Sequence, residues 1–293
     1  MKRHAMMLGL LAVGLCGATF WLLSCTQAVL PGLTAAENAP KGTWTPALGR
    51  PPKAGDEYVN PTDGSVLLWI PGGEFLMGSN DGPEDERPEH KVAVGGFWLG
   101  KYEVTNRQYA RFLKSGRERT PGYWDEEDFN QPDQPVVSVT TYEVEDYCRW
   151  AGLRLPTETE WEYAAAGGKQ LKYPTATGDI SHDLANYMGS GGRDKWADTT
   201  SPVGSFPPNP FGLYDICGNA WEWISNSYEP YPGGPPISSG YGLRVMRGGC
   251  WHFSDKVCTT HCRHRFASHL RYDFAGFRVA LTSPDAREKP PND

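Results

Sequence analysis

The sequence lacks the short motifs that mark the common nucleotide-binding and hydrolytic folds. Its 293 residues contain no P-loop string, no G-x-G-x-x-G after a strand-like run, no H-E-x-x-H and no G-x-S-x-G. It also lacks an excess of positive charge, because the formal net charge is −7. These absences argue against nucleotide-binding enzymes, zincins, α/β hydrolases and general nucleic-acid binders, so no nucleic-acid partner is expected.

Long periodic segments are also scarce, whereas residues that interrupt regular structure are abundant. The chain contains 25 prolines and 34 glycines, which together make up about a fifth of its residues and show no collagen-like period. Both residues interrupt helices and strands. The composition therefore predicts one α+β domain with short elements and many loops rather than a helical bundle or a doubly wound sheet.

The single long apolar run lies at the N-terminus. It covers Met6 to Leu23 after a short basic start, and Leu22-Leu23-Ser24-Cys25 follows the pattern of a bacterial lipobox. A membrane-spanning helix is the alternative, but the run is short and a polar, proline-rich stretch follows it. We therefore expect an exported protein whose lipidated Cys25 anchors it to the membrane of the cell envelope, with Thr26 favouring an outer-membrane or surface address.

The remaining organisation follows from composition along the chain. We expect a signal peptide over 1–25, a flexible tether over 26–60, one folded domain over 61–283 and a loose tail over 284–293. The folded part opens with the strand-like run Val66 to Ile70.

Three short helices are predicted by capping boxes, in which a threonine is followed three residues later by glutamine or glutamate. Gly152 should end the second helix. The three boxes are Thr105 with Gln108, Thr140 with Glu143, and Thr157 with Glu160.

Several strings, read in order, resemble the formylglycine-generating-enzyme family, also called the sulfatase-modifying factors. The resemblance implies a single α+β domain related to the C-type-lectin fold and often held by calcium. The strings are IPGGEFLMGS (70–79), DERPEHKVAVGGFWLGKYEVTNRQYARFL (85–113), QPVVSVTTYEVEDYCRWAGLRLPTETEWEYAAAGG (134–168), SPVGSFPPNPFGLYDICGNAWEW (201–223), RGGCW (247–251) and AGFRVAL (275–281).

The string YDICGNAWEW predicts a first calcium site. Asp215 and Glu222 can supply carboxylates, and a tight turn at Gly218 exposes the carbonyls of Gly218 and Ala220 in a loop expected to enter a helix. Calcium prefers six to eight such oxygens. All four positions match the calcium ligands of the family, although a purely structural role for the two carboxylates remains an alternative.

The family pattern implies a second calcium site with a less secure alignment. It uses an asparagine side chain and the next carbonyl, then an aspartate and a carbonyl two residues on. Asn186, Tyr187, Asp194 and Trp196 fit this pattern.

The enzymes of this family oxidise a substrate cysteine with O2 and Cu(I), which two thiolates five residues apart hold linearly. In this chain the second thiolate falls on Cys258, but the first falls on Phe253, which cannot bind metal. Cys250 stands where the enzyme has a serine. We consider that Cys250 could replace the missing thiolate; the family also places Trp221 near the copper pocket.

Other arrangements of the cysteines remain open. An exported protein should pair some of Cys148, Cys217, Cys250, Cys258 and Cys262, and a disulfide between Cys250 and Cys262 is one option. Alternatively Cys258 is a small buried residue. A further option is a zinc or copper site built from Cys258, Cys262 and the neighbouring histidines, which are His252, His261 and His264.

Two classes of function follow. The first is a copper- and O2-dependent oxidase of the formylglycine-generating type, acting on an exported protein or peptide with an incomplete cysteine pair. The second is a non-catalytic, calcium-stabilised envelope lipoprotein that binds protein or glycan partners. The choice depends on copper, because a binding module needs no Cu(I) held by two thiolates.

Overall fold

The computed structural model describes residues 50–116, 119–238 and 240–282, and the three predicted helices begin where their capping boxes place them. They are α1 (Asn106–Lys114), α2 (Thr141–Ala151) and α3 (Glu158–Ala165), and in each the threonine and its partner three residues on exchange both hydrogen bonds of the box. Gly152 ends α2 in a left-handed conformation, with φ +70°. The helix predictions are therefore confirmed.

The first sheet joins the two ends of the domain. Its strands β1 (Glu57–Val59), β2 (Val66–Ile70), β5 (Phe97–Gly100) and β10 (Ala280–Thr282) are all antiparallel, in the order β1-β2-β5-β10. A separate hairpin pairs β3 (Gly73–Met77) with β4 (His90–Val94). Because β10 pairs with β5, the last described strand closes on elements formed early in the chain.

The second four-stranded sheet carries the segments that matter for function. It has the order β8-β7-β6-β9, with β6 at Trp221–Ser227, β7 at Leu243–Arg247, β8 at His264–Ala267 and β9 at Ala275–Gly276. The pair β6 and β9 is parallel and the others are antiparallel. The loops that carry Asp215, Gly218 and Cys258 connect to the strands of this sheet. One-turn 3-10 helices occur at Glu84–Glu86 and Asp255–Val257.

Two large apolar clusters form the core. One surrounds Tyr147, Trp221 and Trp223 between α1, α2 and the second sheet, and the other surrounds Leu99 and Trp161 between the first sheet and α3. Short helices and strands, joined by long connections, thus pack around common apolar clusters. This is the α+β architecture with little regular secondary structure that the sequence predicts.

Buried arginines tie the elements together. Arg263 donates to both carboxylate oxygens of Glu158 on α3 at 2.8 and 2.9 Å, while Arg247 on β7 pairs with Glu162 one turn further along α3. Burial of a charge is costly unless it is paired in this way. The arginine-rich stretch near the C-terminus therefore largely serves the fold.

The ordered domain begins earlier than residue 61, because β1 lies at Glu57–Val59 and Arg50 already binds Asp56. The end of the range expected to be a tether is therefore part of the first sheet. Cys25, the signal peptide and the tail over 284–293 lie outside the described residues. Within the ranges described, no helix is long and apolar enough to cross a membrane.

Candidate functional site

The loop before β6 is coiled by three residues with left-handed backbone conformations. Asp215, Gly218 and Asn219 have φ values of +53°, +76° and +62°. A Cβ at position 218 would collide with the carbonyl oxygen of Asn186, which also accepts the backbone N–H of Asn219 at 2.8 Å. Only glycine fits this close approach. The loop enters strand β6 at Trp221, so the expectation that it enters a helix is wrong.

Two of the predicted calcium ligands lie in a buried cluster of three carboxylates, formed by Glu103, Asp215 and Glu222 and called here the carboxylate cluster. Arg278 donates to both oxygens of Glu222 at 2.7 to 3.0 Å and interacts electrostatically with the other two. Burial raises the pKa of Asp215 to about 7 and that of Glu103 well above its usual range. One arginine therefore faces three carboxyl groups.

The oxygen atoms of the carboxylate cluster differ in whether the chain supplies them with a hydrogen-bond donor. Oδ2 of Asp215 accepts the backbone N–H of Gly204 at 2.5 Å, but its Oδ1 is buried with no hydrogen-bond partner. Glu103 accepts from the backbone of Ala220 and the side chain of Asn219. An unpartnered carboxylate oxygen beside surplus negative charge is what a cation requires. Oδ1 of Asp215 is therefore suited to a cation, whereas both oxygens of Glu222 already accept hydrogen bonds from Arg278, and Oε2 also accepts one from Trp161.

The second predicted site has a different arrangement. Both oxygens of Asp194 are used within the chain, since Oδ2 lies 2.9 Å from Nδ1 of His182 and Oδ1 accepts the N–H of Trp196 at 3.0 Å. The ring of Tyr187 stacks on His182 with centroids 4.0 Å apart. Only Oδ1 of Asn186 is buried without a partner. The donor set around Asp194 thus fits a cation less well than the first site does.

The segment that would carry copper holds an aromatic side chain and sealed thiols. Phe253 packs edge-on to the buried Trp221, with ring centroids 6.3 Å apart. Cys250 and Cys258 have no exposed surface, and they belong to different apolar clusters. Burial raises the pKa of Cys250 well above its usual range, and a side-chain hydrogen bond with Cys217, followed by burial, does the same for Cys258. Neither thiol is activated as a thiolate.

The five cysteines of the described ranges are all free thiols in this structure, so the suggested disulfide between Cys250 and Cys262 is not formed in it. The neighbour of Cys258 is instead Cys217, whose thiol lies 3.6 Å from the carbonyl oxygen of Cys258. The sequence gives no signal for this contact, because the two residues are far apart along the chain and Cys217 belongs to none of the metal patterns.

The proposed zinc cluster of cysteines and histidines is not assembled. In the described ranges, no group of three or more histidine, cysteine, aspartate or glutamate side chains is placed to hold a metal ion. The three histidines face different surroundings: His261 lies beside Glu162, His264 stacks on Phe266, and His252 contacts Trp251. The three side chains of the carboxylate cluster, Glu103, Asp215 and Glu222, are not such a group either.

Around Phe253 lies a partly exposed set of rings, called here the aromatic face. Neighbouring ring centroids are 4.7 to 5.4 Å apart, and the buried Trp221 lies beneath them. Nε1 of Trp221 is buried without a hydrogen-bond partner. Sequence reasoning placed Trp221 at this site but missed the surrounding set, which comprises Phe253, His264, Phe266, Tyr272 and Phe274.

Comparison with known proteins agrees with this architecture. Residues 54–283 match the sulfatase-modifying factor enzyme 1-like domain. The chain is 38% identical over 252 residues to the serine/threonine-protein kinase Pkn1 of Chlamydia trachomatis, covering 73% of this chain but only 38% of that protein. It is 32% identical to the inactive C-alpha-formylglycine-generating enzyme 2 of Mus musculus, covering 76% of this chain and 88% of that protein.

Solved structures support the same assignment. PvdO from Pseudomonas aeruginosa superposes with a TM-score of 0.66 at 27% identity, covering 79% of this chain and all of that one. The chain spans less than two fifths of the length of the Chlamydia kinases that it matches. The family match covers most of the chain and coincides with the two sheets and three helices described above, so this chain belongs to the sulfatase-modifying factor family.

Proposed function

We propose that this protein is a non-catalytic member of its family, a binding module of the cell envelope rather than a cysteine oxidase. The proposal rests on Phe253, which the family resemblance aligns with the first copper thiolate and which packs against Trp221. A phenyl ring offers no ligand to Cu(I), and linear coordination needs two thiolates.

Cys250 is a poor replacement for the missing thiolate. Its side chain packs in the main core beside Trp223 and Trp251, whereas Cys258 packs in a small separate cluster with Tyr173 and Ala185. Both thiols would have to ionise in apolar surroundings to bind copper, and burial opposes this. The oxidase hypothesis therefore requires two sealed thiols to ionise, although the backbone of Cys250 already lies beside the Cys258 sulfur.

The aromatic face is the surface we assign to partner binding. Its five rings are partly exposed, and aromatic residues with arginine are enriched at the centres of protein interfaces. Arg265, which stands between two of the rings on β8, points to the other side of the strand and lies over Tyr228, so it is not part of this surface. We propose that the partner is an exported protein or peptide that covers these rings.

A calcium ion at the first predicted site would stabilise the module. Asp215 and Glu222 would supply carboxylate oxygens, and Gly218 and Ala220 would supply carbonyls. The support is the unpartnered Oδ1 of Asp215 inside a cluster with more carboxylates than cations. The ion would offset this negative charge and fix the loop that precedes β6.

The proposed location follows from the N-terminus. Export and lipidation at Cys25 would place the domain at the envelope, and residues between Cys25 and β1 would separate it from the bilayer. The anchor would then hold the aromatic face within reach of exported partners.

The experiment that tests the proposal is an oxidation assay. The purified chain would be loaded with copper and incubated with O2, a thiol reductant and a cysteine-containing peptide from a sulfatase, and formylglycine would be sought by mass spectrometry. An active formylglycine-generating enzyme serves as the positive control. We expect unchanged peptide; formylglycine formed by the wild type and abolished by Cys258→Ser would overturn the non-catalytic assignment.

A further inference from the structure

The two thiols of Cys217 and Cys258 meet between two functional segments. Cys217 lies in the loop that leads to β6, directly before Gly218, and Cys258 follows the 3-10 turn Asp255–Val257. The Cys217 thiol donates to the carbonyl oxygen of Cys258 at 3.6 Å, and the Cys258 thiol donates to the carbonyl oxygen of Ser254 at 3.8 Å. Residues 41 positions apart in sequence are thus in side-chain contact.

Both thiols of the pair are buried, and the Cys258 sulfur also lies against the backbone that leads into Cys250. Cys217 and Cys258 share one small cluster with Tyr173 and Ala185, whereas Cys148, Cys250 and Cys262 all pack in the main core. Gly249, with φ +75°, lies so close that a Cβ there would be 2.5 Å from the sulfur of Cys258. This contact places the Cys258 sulfur against the backbone of the residue before Cys250 and leaves no space there for a side chain at position 249.

We propose that Cys217 and Cys258 are joined by a disulfide that forms as the chain folds in an oxidising environment. The oxidant is a small-molecule or protein disulfide. One cysteine thiolate attacks it and releases a thiol, and the second cysteine then attacks the mixed disulfide and releases another. Two cysteine thiols lose two protons and two electrons, and the oxidant gains them as two thiols. Because both sulfurs are sealed in the folded state, the exchange takes place before they are buried.

The bond would have two consequences. It would tie the loop bearing Asp215 and Gly218 to the segment that follows Phe253, closing a loop whose constraint stabilises the fold. It would also remove Cys258 from any metal chemistry and leave three of the five mature thiols reduced. The odd number of cysteines is then explained without a bond between chains.

Peptide mapping without reduction tests the proposal. The full chain is refolded with oxidised and reduced glutathione, alkylated under denaturing conditions and digested with trypsin. Cys217 lies in the peptide 196–244, and Cys258 lies with Cys262 in the peptide 257–263. We expect these two peptides to be joined, with fragmentation placing the bond at Cys258 and with Cys148, Cys250 and Cys262 alkylated.

Cysteine variants show which sulfur of the peptide 257–263 forms the disulfide. The joined species should persist in Cys262→Ser and disappear in Cys258→Ser. Reduction should lower the thermal midpoint of the wild type and leave that of Cys217→Ser nearly unchanged. The proposal is overturned if Cys217 and Cys258 are both alkylated in the oxidised wild type, or if Cys217 is joined to another cysteine. These readouts do not depend on export or on catalytic activity.

Discussion

Replacing Arg278 by methionine should destabilise the domain severely, because this side chain neutralises the carboxylate cluster. Arg278 is completely buried, donates to both oxygens of Glu222 and also donates to the carbonyls of Gly100 and Tyr214 at 2.8 and 2.9 Å. Removing one partner of a buried ion pair costs roughly 3–5 kcal/mol. For a domain of this size that loss lowers the thermal midpoint by about 6–20 °C.

The assay is thermal unfolding followed by circular dichroism, with Arg149→Met as the matched control. Arg149 pairs with Asp146 three residues before it on α2, and its side chain is 63% exposed. Exposed pairs of this kind contribute less than about 1 kcal/mol. If Arg278→Met shifts the midpoint no more than Arg149→Met does, the buried charge balance described here is wrong. The double variant Glu222→Gln with Arg278→Met should recover part of the loss, because it removes the uncompensated charge.

Two further predictions concern the ion and the anchor. Calcium at a hundredfold excess over its dissociation constant should stabilise the wild type by about 2.7 kcal/mol, and differential scanning calorimetry should show this shift lost in Asp215→Asn but kept in Asp133→Asn. An equal calcium shift in both variants would remove Asp215 from the site. In a bacterial host, Cys25→Ala should abolish lipid attachment and move the protein from the detergent phase to the aqueous phase in a partition experiment; unchanged partitioning would contradict anchoring at this residue.

The three helices could be predicted from the sequence because their capping residues are close together along the chain. Each helix begins at a threonine whose hydroxyl accepts the N–H three residues later, and this short-range chemistry is legible without tertiary contacts. The left-handed stop at Gly152 is equally local. The family strings in turn place the carboxylates of Asp215 and Glu222 and the aromatic substitution at Phe253.

Several contacts at the site depend on segments that are distant along the chain. Glu103 enters the carboxylate cluster only because β5 and its following turn pack against the loop before β6, and nothing at position 103 alone indicates this. The meeting of Cys217 with Cys258 and of His182 with Asp194 likewise requires loops whose paths are fixed by glycines and tertiary hydrogen bonds. The start of the domain was misplaced because β1 is only three residues long and its pairing with β2 is not visible as a periodic pattern.

An anaerobic Cu(I) competition titration tests our proposal that the chain has no copper-binding thiolate pair. The unreduced chain from residue 26 onward would be titrated in ascorbate, which keeps copper as Cu(I), beside Cys258→Ser and Cys250→Ser. We expect no tight one-to-one binding by the wild type and no difference among the three proteins. Tight one-to-one binding that is lost in both variants would contradict it, because Cys250 would then have replaced the missing thiolate and the oxidase assignment would lead.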